Sequence, residues 1–307
     1  MSKILLAADI GGSKTRIQLL DTDGNLLSEF CDIGVASAIQ QETPLPVLEK
    51  LLFKIPDKAS VVAAAINLGG RNTKQVLQSF RIFFPDIPMK IFRESEGTVA
   101  YTLCEIYNAS IVLMAGTGSI AVGRSKNGCV ITGGWGINIG DGGSGYDIGL
   151  QAIRMALEEL DGIEPLSPLT EFLCDCKEPL PATATPSAYR DRRDKIRESL
   201  YPLDRQHIAS LTQTVAIFAE RADPCALKIF EEAGIKLAKL VINTSKKLED
   251  STSTIVVTGG LVHSKQFWAP AFEALLPNIN IQYVADGLLE GTRYIAKQLC
   301  GTGEVNI

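Results

Sequence analysis

The sequence has few histidines, no paired-cysteine motif, no long apolar run and no excess of positive charge. Each shortage removes a class of function. Only His207 and His263 offer an imidazole, and the seven cysteines, at 31, 104, 129, 174, 176, 225 and 300, form no Cys-x-x-Cys. A structural zinc, which needs four such ligands at close spacing, is therefore not expected. Scattered cysteines in odd number suit reduced thiols in a cytoplasmic protein better than a disulfide framework. No apolar stretch approaches the roughly 20 residues that span a bilayer. The first apolar run stops at Asp9, too short and too strand-like for a secretory signal. Lys and Arg number 30 against 35 Asp and Glu, a net charge of -5, so there is no basic footprint for nucleic acid. Neither a membrane nor a nucleic acid is expected as a partner. Two nucleotide signatures are missing as well. No Gly-x-x-x-x-Gly-Lys-[Ser/Thr] occurs, and Gly11-Gly12 leads into a strand-like run where a Rossmann fingerprint would lead into a helix.

What is present is a large apolar fraction, 46% of 307 residues, enough for one large core or two ordinary ones. Periodicity predicts strands over Ile4–Ala8, Thr15–Leu20 and Leu26–Asp32, with Asp23-Gly24 as the turn between the last two. A helix over Pro46–Lys54, a strand over Val61–Leu68, a helix over Thr73–Phe83 and a strand over Met89–Phe92 follow. The next helix is expected over Glu96–Asn108. Then the opening pattern returns: strand Ile111–Ala115, the loop Gly116-Thr117-Gly118-Ser119, strand Ile120–Arg124, the turn Asn127-Gly128, and strand Cys129–Thr132. The loops open at positions 11 and 116, with matching order and turn type, so an internal duplication explains them more economically than two unrelated hairpins. Beyond Gly145 the chain turns helical: Tyr146–Leu160, Leu169–Cys174, Tyr189–Ser199, Arg205–Arg221 and Pro224–Leu248. The alternating charges of "YRDRRDKIRES" mark a solvated helix face. A strand at Thr254–Val257, a short one ending at Tyr283-Val284 and a helix over Leu288–Cys300 complete the pattern.

Three strands end in glycine-rich turns: Gly11-Gly12-Ser13, Gly116 to Ser119, and Gly259-Gly260. Glycine lets backbone N–H groups approach an oxyanion with no Cβ in the way. Two such loops from duplicated halves can grip a polyphosphate from both sides, and a third can hold a nucleoside. Asp9 ends the first buried strand, where a carboxylate is costly unless paired or used. Beside a triphosphate it would hold Mg²⁺ through water; as an ordinary turn residue it would cap the loop.

"DIGGSKT" and "GTGS" resemble the two phosphate loops of the actin, Hsp70 and sugar-kinase superfamily, and "VVTGGLV" its adenosine loop. Within that superfamily "GGWGINIGDGGSGYDIGLQAI", Gly133 to Ile153, resembles the N-acetylglucosamine and glucosamine kinases. "DGIEPLSPL" and "DGLLEG" are similar to bacterial glucosamine kinases. The resemblance runs nearly end to end. It implies an α/β fold of two RNase-H-like, actin-like ATPase domains, each a mixed five-stranded sheet with helices, around an interdomain cleft. The first would cover about residues 1–108, completed by a C-terminal helix near 288–307, and the second 109–287.

The function so implied is ATP-dependent phosphorylation of an amino-sugar hydroxyl, on N-acetylglucosamine or glucosamine, at O6. ATP would lie on Gly11, Gly12, Ser13, Lys14, Thr15, Gly116, Thr117, Gly118, Ser119, Gly259 and Gly260, with Mg²⁺ at Asp9. The sugar would meet Gly134, Trp135, Asp141 and Gly143. Aligning "RESEGTVA" through Gly97 puts Glu94 where the family has its aspartate base, with Glu96 as the fallback. Two further departures leave the sugar open. No asparagine stands in residues 34–38, and Gly142 replaces a glutamate common in N-acetylglucosamine kinases. Relatives with this fold also include ATPases that activate CoA-ester reductases or dehydratases through a cluster-bearing dimer. For these only Cys174 and Cys176 are close together. A non-catalytic sugar or nucleotide sensor is the other alternative, and a homodimer is compatible with all three.

Overall fold

The structure, a computed structural model, describes residues 3–12, 14–33, 45–69, 73–126, 128–162, 165–176, 185–248 and 253–302. The opening strand β1 (Ile4–Ile10) shows why the fold nucleates where it does. Leu5 and Ala7 point to one face, Leu6, Ala8 and Ile10 to the other, and all five are fully buried. A strand covered on both faces reads as a continuous apolar run and not as an alternation. Strand β2 (Lys14–Leu20) pairs antiparallel with β1, and β3 (Leu26–Ile33) antiparallel with β2. At the turn between them the Asp21 carboxylate accepts from the N–H groups of Asp23, at 2.9 Å, and Asn25, at 2.8 Å. Helix α1 (Leu45–Phe53) then leads to β4 (Val61–Leu68), and α2 (Thr73–Phe83) to β5 (Met89–Arg93). The sheet order is β3-β2-β1-β4-β5, with β4 parallel to both β1 and β5.

The second half repeats this arrangement strand for strand. Strands β6 (Ile111–Ala115), β7 (Ser119–Ser125) and β8 (Gly128–Gly133) form the meander, and β9 (Thr254–Thr258) and β10 (Asn280–Val284) add in parallel, giving β10-β9-β6-β7-β8. The two sheets are the mixed five-stranded pair expected of a two-domain RNase-H-like architecture. The duplication inferred from the glycine loops is thus a duplication of whole topology.

Helices fill the faces. Leu48, Leu51 and Leu52 of α1 and Val76 and Phe80 of α2 cover one side of the first sheet. The last helix, α10 (Gly287–Thr302), covers the other side with Leu289, Ile295, Ala296 and Leu299. Helix α3 (Thr98–Ile106) lies on the second sheet through Ala100, Leu103 and Cys104, against Val112, Met114 and Val122. Because α3 also packs on α10, these two helices stand between the sheets. Helix α3 starts later than the sequence suggests. Glu94–Glu96 form a 3₁₀ turn, and Gly97, at φ +73°, separates it from the helix.

The largest core lies under the second sheet, where α4 (Gly145–Leu160), α5 (Pro168–Cys174), α7 (Arg205–Glu220) and α8 (Pro224–Ser245) pack with α9 (Lys265–Ala274). Periodicity misses α9, because Pro270 lies inside it and removes one backbone donor. Tertiary packing overrides that cost. Trp268 is fully buried, stacks edge-on with Phe272 and donates to the Leu261 carbonyl at 2.9 Å. Truncating such a residue to alanine costs about 3–5 kcal/mol. Helix α6 (Pro186–Leu200) carries the alternating charges, and among its described side chains only Ile196 is a buried large apolar one, against Leu160 and Cys176. Among the described residues no helix is long and apolar enough to cross a membrane.

Candidate active site

Parallel strands β1, β4, β6 and β9 all deliver their C-terminal ends to one cleft of about 1530 Å³. The glycine loops lie there for that reason, since each follows the end of such a strand. The first loop is closed by Gly11 donating to the Lys14 carbonyl at 2.9 Å, the second by Gly116 donating to Gly118 at 2.9 Å. They face one another: a Cβ placed on Gly12 would sit 3.6 Å from the Thr117 hydroxyl. The third loop is held tightly to β6. Gly259 has φ +106°, and a Cβ there would lie 2.5 Å from the Ala115 carbonyl, so only glycine fits.

Most expected nucleotide residues line this cleft: Gly11, Gly12 and Lys14 on one side, residues 116–119 on the other, Gly259 and Gly260 at one end. Thr15 does not. Side chains alternate along β2, so Lys14 and Arg16 face the cleft while Thr15 is fully buried on the opposite side. Ser13 lies outside the described residues, as does the 34–38 segment expected to approach the sugar.

Asp9 sits at the cleft floor between two cross-strand partners, Asn67 on β4 and Arg16 on β2. The Asn67 amide donates to its carboxylate at 2.8 Å. Burial pushes the Asp9 pKa up, and the Asn67 hydrogen bond and the Arg16 charge pull against that rise. Arg16 is itself tied to Glu29, at 2.9 Å, and to Asp286 ahead of α10.

Glu94 enters the same floor from the 3₁₀ turn after β5. Its carboxylate lies against Gly69, whose hypothetical Cβ would come within 3.2 Å of Oε1. Burial first, and then the Asp9 charge, lift its pKa to about 7; Arg205 and Asn67 oppose the rise. It does not cap α3, whose N-cap position is Gly97. Glu96, the fallback base, instead makes an exposed pair with Arg93 at 2.7 Å and is not among the cleft residues.

Asp141 stands across the cleft, 6% exposed, at φ +57°. Its Oδ1 accepts from the Gly136 N–H at 3.3 Å, and its Oδ2 would lie 2.8 Å from a Cβ on Gly118. Burial raises its pKa. The helix it precedes is capped by Ser144, whose hydroxyl accepts from the Asp147 N–H at 3.2 Å. Asp141 therefore has no capping duty. Trp135 is 74% exposed, so it is wall and not core, and Gly134 is beside it in the lining. Gly143 is outside the lining: its N–H donates to Asp147 at 2.8 Å, and it backs onto the Ala233 carbonyl of α8. Cys174 and Cys176 lie away from the cleft, in the small cluster with Leu160 and Ile196.

The sequence reading missed the N-terminus of α7. Asp204 caps that helix by accepting from Gln206 and His207. Gln206 donates to the Gly12 carbonyl in the first loop, and Arg205 reaches the second, with Nη2 3.7 Å from the Gly118 Cβ position. The capping aspartate marks where α7 begins. Nothing local says that its first turn reaches both loops. Asn67 was missed too, because one polar residue in an apolar strand announces no partner until the register is known.

A floor of two coupled carboxylates, flanked by opposed glycine loops, suits binding of a polyphosphate and removal of a proton beside it. Among curated proteins the chain is similar to an N-acetylmuramic acid/N-acetylglucosamine kinase of Clostridium acetobutylicum, 25% identical over 97% of this chain and 99% of the relative. It is similar also to an N-acetyl-D-glucosamine kinase of Dictyostelium discoideum, 26% identical over 86% of this chain and 88% of that one. Among solved structures a candidate N-acetylglucosamine kinase from Chromobacterium violaceum shares the fold, with a TM-score of 0.67, 21% identity and coverage of 96% and 99% of the two chains. A family model matches residues 8–285, and the chain belongs to the BadF/BadG/BcrA/BcrD ATPase family.

Proposed function

We propose that the protein transfers the γ-phosphoryl group of ATP to a hydroxyl of an amino sugar, N-acetylglucosamine or glucosamine, at O6. The curated relatives named as kinases of such sugars support the substrate class. The observation that carries the reaction type is Glu94, a carboxyl with pKa raised to about 7 on the floor of a cleft whose walls are glycine loops. A general base works best when its pKa lies near the operating pH.

In this reading the sugar hydroxyl oxygen attacks the γ-phosphorus, and the bond from that phosphorus to the β–γ bridging oxygen breaks. The hydroxyl proton goes to Glu94, and ADP leaves with the electron pair. Asp141 orients the sugar by accepting from its hydroxyls, and Trp135 supplies an apolar wall for a ring face. The loops at residues 11–12 and 116–119 position the phosphates, and Gly259-Gly260 abut the nucleoside.

Mg²⁺ fits the floor. The Oδ1 atom of Asn67 is buried with no hydrogen-bond partner, beside the Asp9 carboxylate, and oxygen donors are what this cation takes. Among the described residues no three acidic, histidine or cysteine side chains converge on one point. The ion would thus rest on Asp9 through water and on the nucleotide itself. When bound, it would neutralise phosphate charge.

The test is a phosphorylation assay with Mg·ATP over a panel of hexoses and amino sugars, with ³¹P NMR of the product. N-acetylglucosamine or glucosamine 6-phosphate is expected. ATP hydrolysis with no phosphorylated sugar from any acceptor would refute the reading.

A further inference from the structure

The cleft holds a cation that the reading above does not use. Arg205, the first residue of α7, lines the cleft, and its Nε is buried without a hydrogen-bond partner. An arginine presents five donors in a fixed fork, and leaving buried ones unpaired is costly. Its Nη2 is placed 3.7 Å from the Gly118 Cβ position, so the fork lies over the second phosphate loop. Its charge also acts on both Glu94 and Asp141. The guanidinium therefore shares the cleft with Glu94, Asp141 and the second phosphate loop. In that space the transferring group must pass. The rest of α7 is anchored: Asp204 caps it, Gln206 holds the first loop at Gly12, and the Thr212 hydroxyl donates to the Gly145 carbonyl at 2.8 Å. The fork is thus carried on a rigid element.

We propose that Arg205 is a further catalytic residue, which binds the oxygens of the γ-phosphoryl group as it moves from ADP to the acceptor hydroxyl. The inference rests on the phosphoryl-transfer reading above. The alternative duty, balancing Glu94 and Asp141 without touching ligand, leaves the unpaired Nε unexplained. A guanidinium placed on a transferring phosphoryl group is worth about 10³–10⁵ in kcat in other phosphotransferases.

The experiment compares wild type, Arg205→Ala and Arg205→Lys. Calorimetry with Mg·ADP and with a magnesium-bound non-hydrolysable ATP analogue isolates the γ-phosphate. ADP affinity is expected to stay within about threefold in both variants, while analogue affinity falls at least about tenfold in the alanine variant. With the best acceptor sugar, turnover of Arg205→Ala is expected to fall about 10³-fold. Added guanidinium chloride at millimolar concentration is expected to restore part of it, a rescue that a structural role would not give. Arg205→Lys keeps the charge without the fork and is expected to lie between the two; it also serves should the alanine variant fold poorly. Equal changes in ADP and analogue affinity, or turnover within threefold of wild type, would overturn the proposal. The nucleotide comparison needs no sugar. If wild type phosphorylates no acceptor, the functional reading falls while the Arg205 assignment is still decided by the two affinities.

Discussion

Glu94→Gln separates the electrostatics of the floor from its shape. Burial, with the Asp9 charge adding to it, lifts the Glu94 carboxyl from its ordinary 4.5 to about 7. Such a rise corresponds to about 3 kcal/mol between the two protonation states. The unfolded chain releases this proton near pH 4.5, whereas the folded protein keeps it up to about 7. Between those values the folded state binds more protons, so raising the pH favours unfolding. Glu94 alone should therefore cost ~3 kcal/mol of stability at pH 8.5 that it does not cost at pH 4.5. Glutamine keeps the size and the hydrogen bonding and has nothing to titrate. Urea unfolding of both proteins at several pH values from 4.5 to 8.5 measures this directly. The variant should gain on wild type between pH 4.5 and about 7 and then level off, ~3 kcal/mol ahead at pH 8.5. In the same variant sugar phosphorylation should fall about 10²–10⁴-fold, with ADP affinity unchanged. Wild-type kcat/KM, which reports the free enzyme, should rise with pH to a plateau above about 7, since only the ionised carboxylate accepts a proton. Parallel stability curves for the two proteins, within 0.5 kcal/mol across the range, would refute the burial argument whatever the activity did.

Gly118→Val should abolish nucleotide binding by calorimetry, because a Cβ there meets Asp141 Oδ2 at 2.8 Å and fills the approach to the loop; retained affinity would remove that loop from the site. Ser144→Ala removes a real cap and should lower stability by about 1 kcal/mol in urea unfolding, while Asp141→Asn should leave stability nearly unchanged and raise KM for the sugar. The reverse pattern would mean that Asp141 and not Ser144 holds the helix. Gly69→Ala should press a methyl against the Glu94 carboxylate, at 3.2 Å from Oε1, and lower kcat by up to about 10²-fold. In a Glu94→Asp background the same change should do little more, because the shorter arm no longer reaches the methyl. Additive losses in that double-mutant cycle would show that Glu94 does not lie against Gly69 in the working enzyme.

How far the sequence could be read depended on whether the signal was local. Glycine loops and strand runs are local: a phosphate loop needs Gly11-Gly12 or Gly116 to Ser119 next to each other, and a buried strand needs its apolar residues in succession. The repeat of both showed the twofold architecture before any contact was known. Thr15 shows the limit. It adjoins the loop in sequence, yet the two-residue period of β2 turns it away from the cleft that Lys14 and Arg16 face. Gly143 fails likewise, since its place is fixed by α8, about ninety residues further on. Arg205 and Asn67 are the converse. Each sits in an element whose local pattern is ordinary, and each acquires its neighbours only when distant strands and helices close on one another. Helix α9 was hidden for a third reason, because Pro270 speaks against a helix locally while Trp268 and Phe272 secure it through the core.

The charges of the floor give the cleft a reason to close. Glu94 is balanced between opposing influences, burial and the Asp9 charge raising its pKa and Arg205 and Asn67 lowering it, and the pKa settles at about 7. Asp9 comes from β1 of the first sheet, whereas Arg205 comes from α7 under the second. The two charges that act on Glu94 thus come from opposite walls, while Asn67 shares the first sheet with Asp9. Closure about α3 and α10 would remove water from the floor, and burial is the largest cause of the raised Glu94 pKa. A carboxylate losing water becomes a stronger base. An arriving phosphoryl group would at the same time draw Arg205 toward its own oxygens and weaken the one cationic influence that holds the Glu94 pKa down. Both changes act in the direction that proton transfer from the acceptor hydroxyl requires, and both wait for nucleotide and sugar to be in place. A base tuned in this way is weaker before nucleotide and sugar bind, when a strong one would only activate water, and gains strength when the acceptor hydroxyl is the nearest proton.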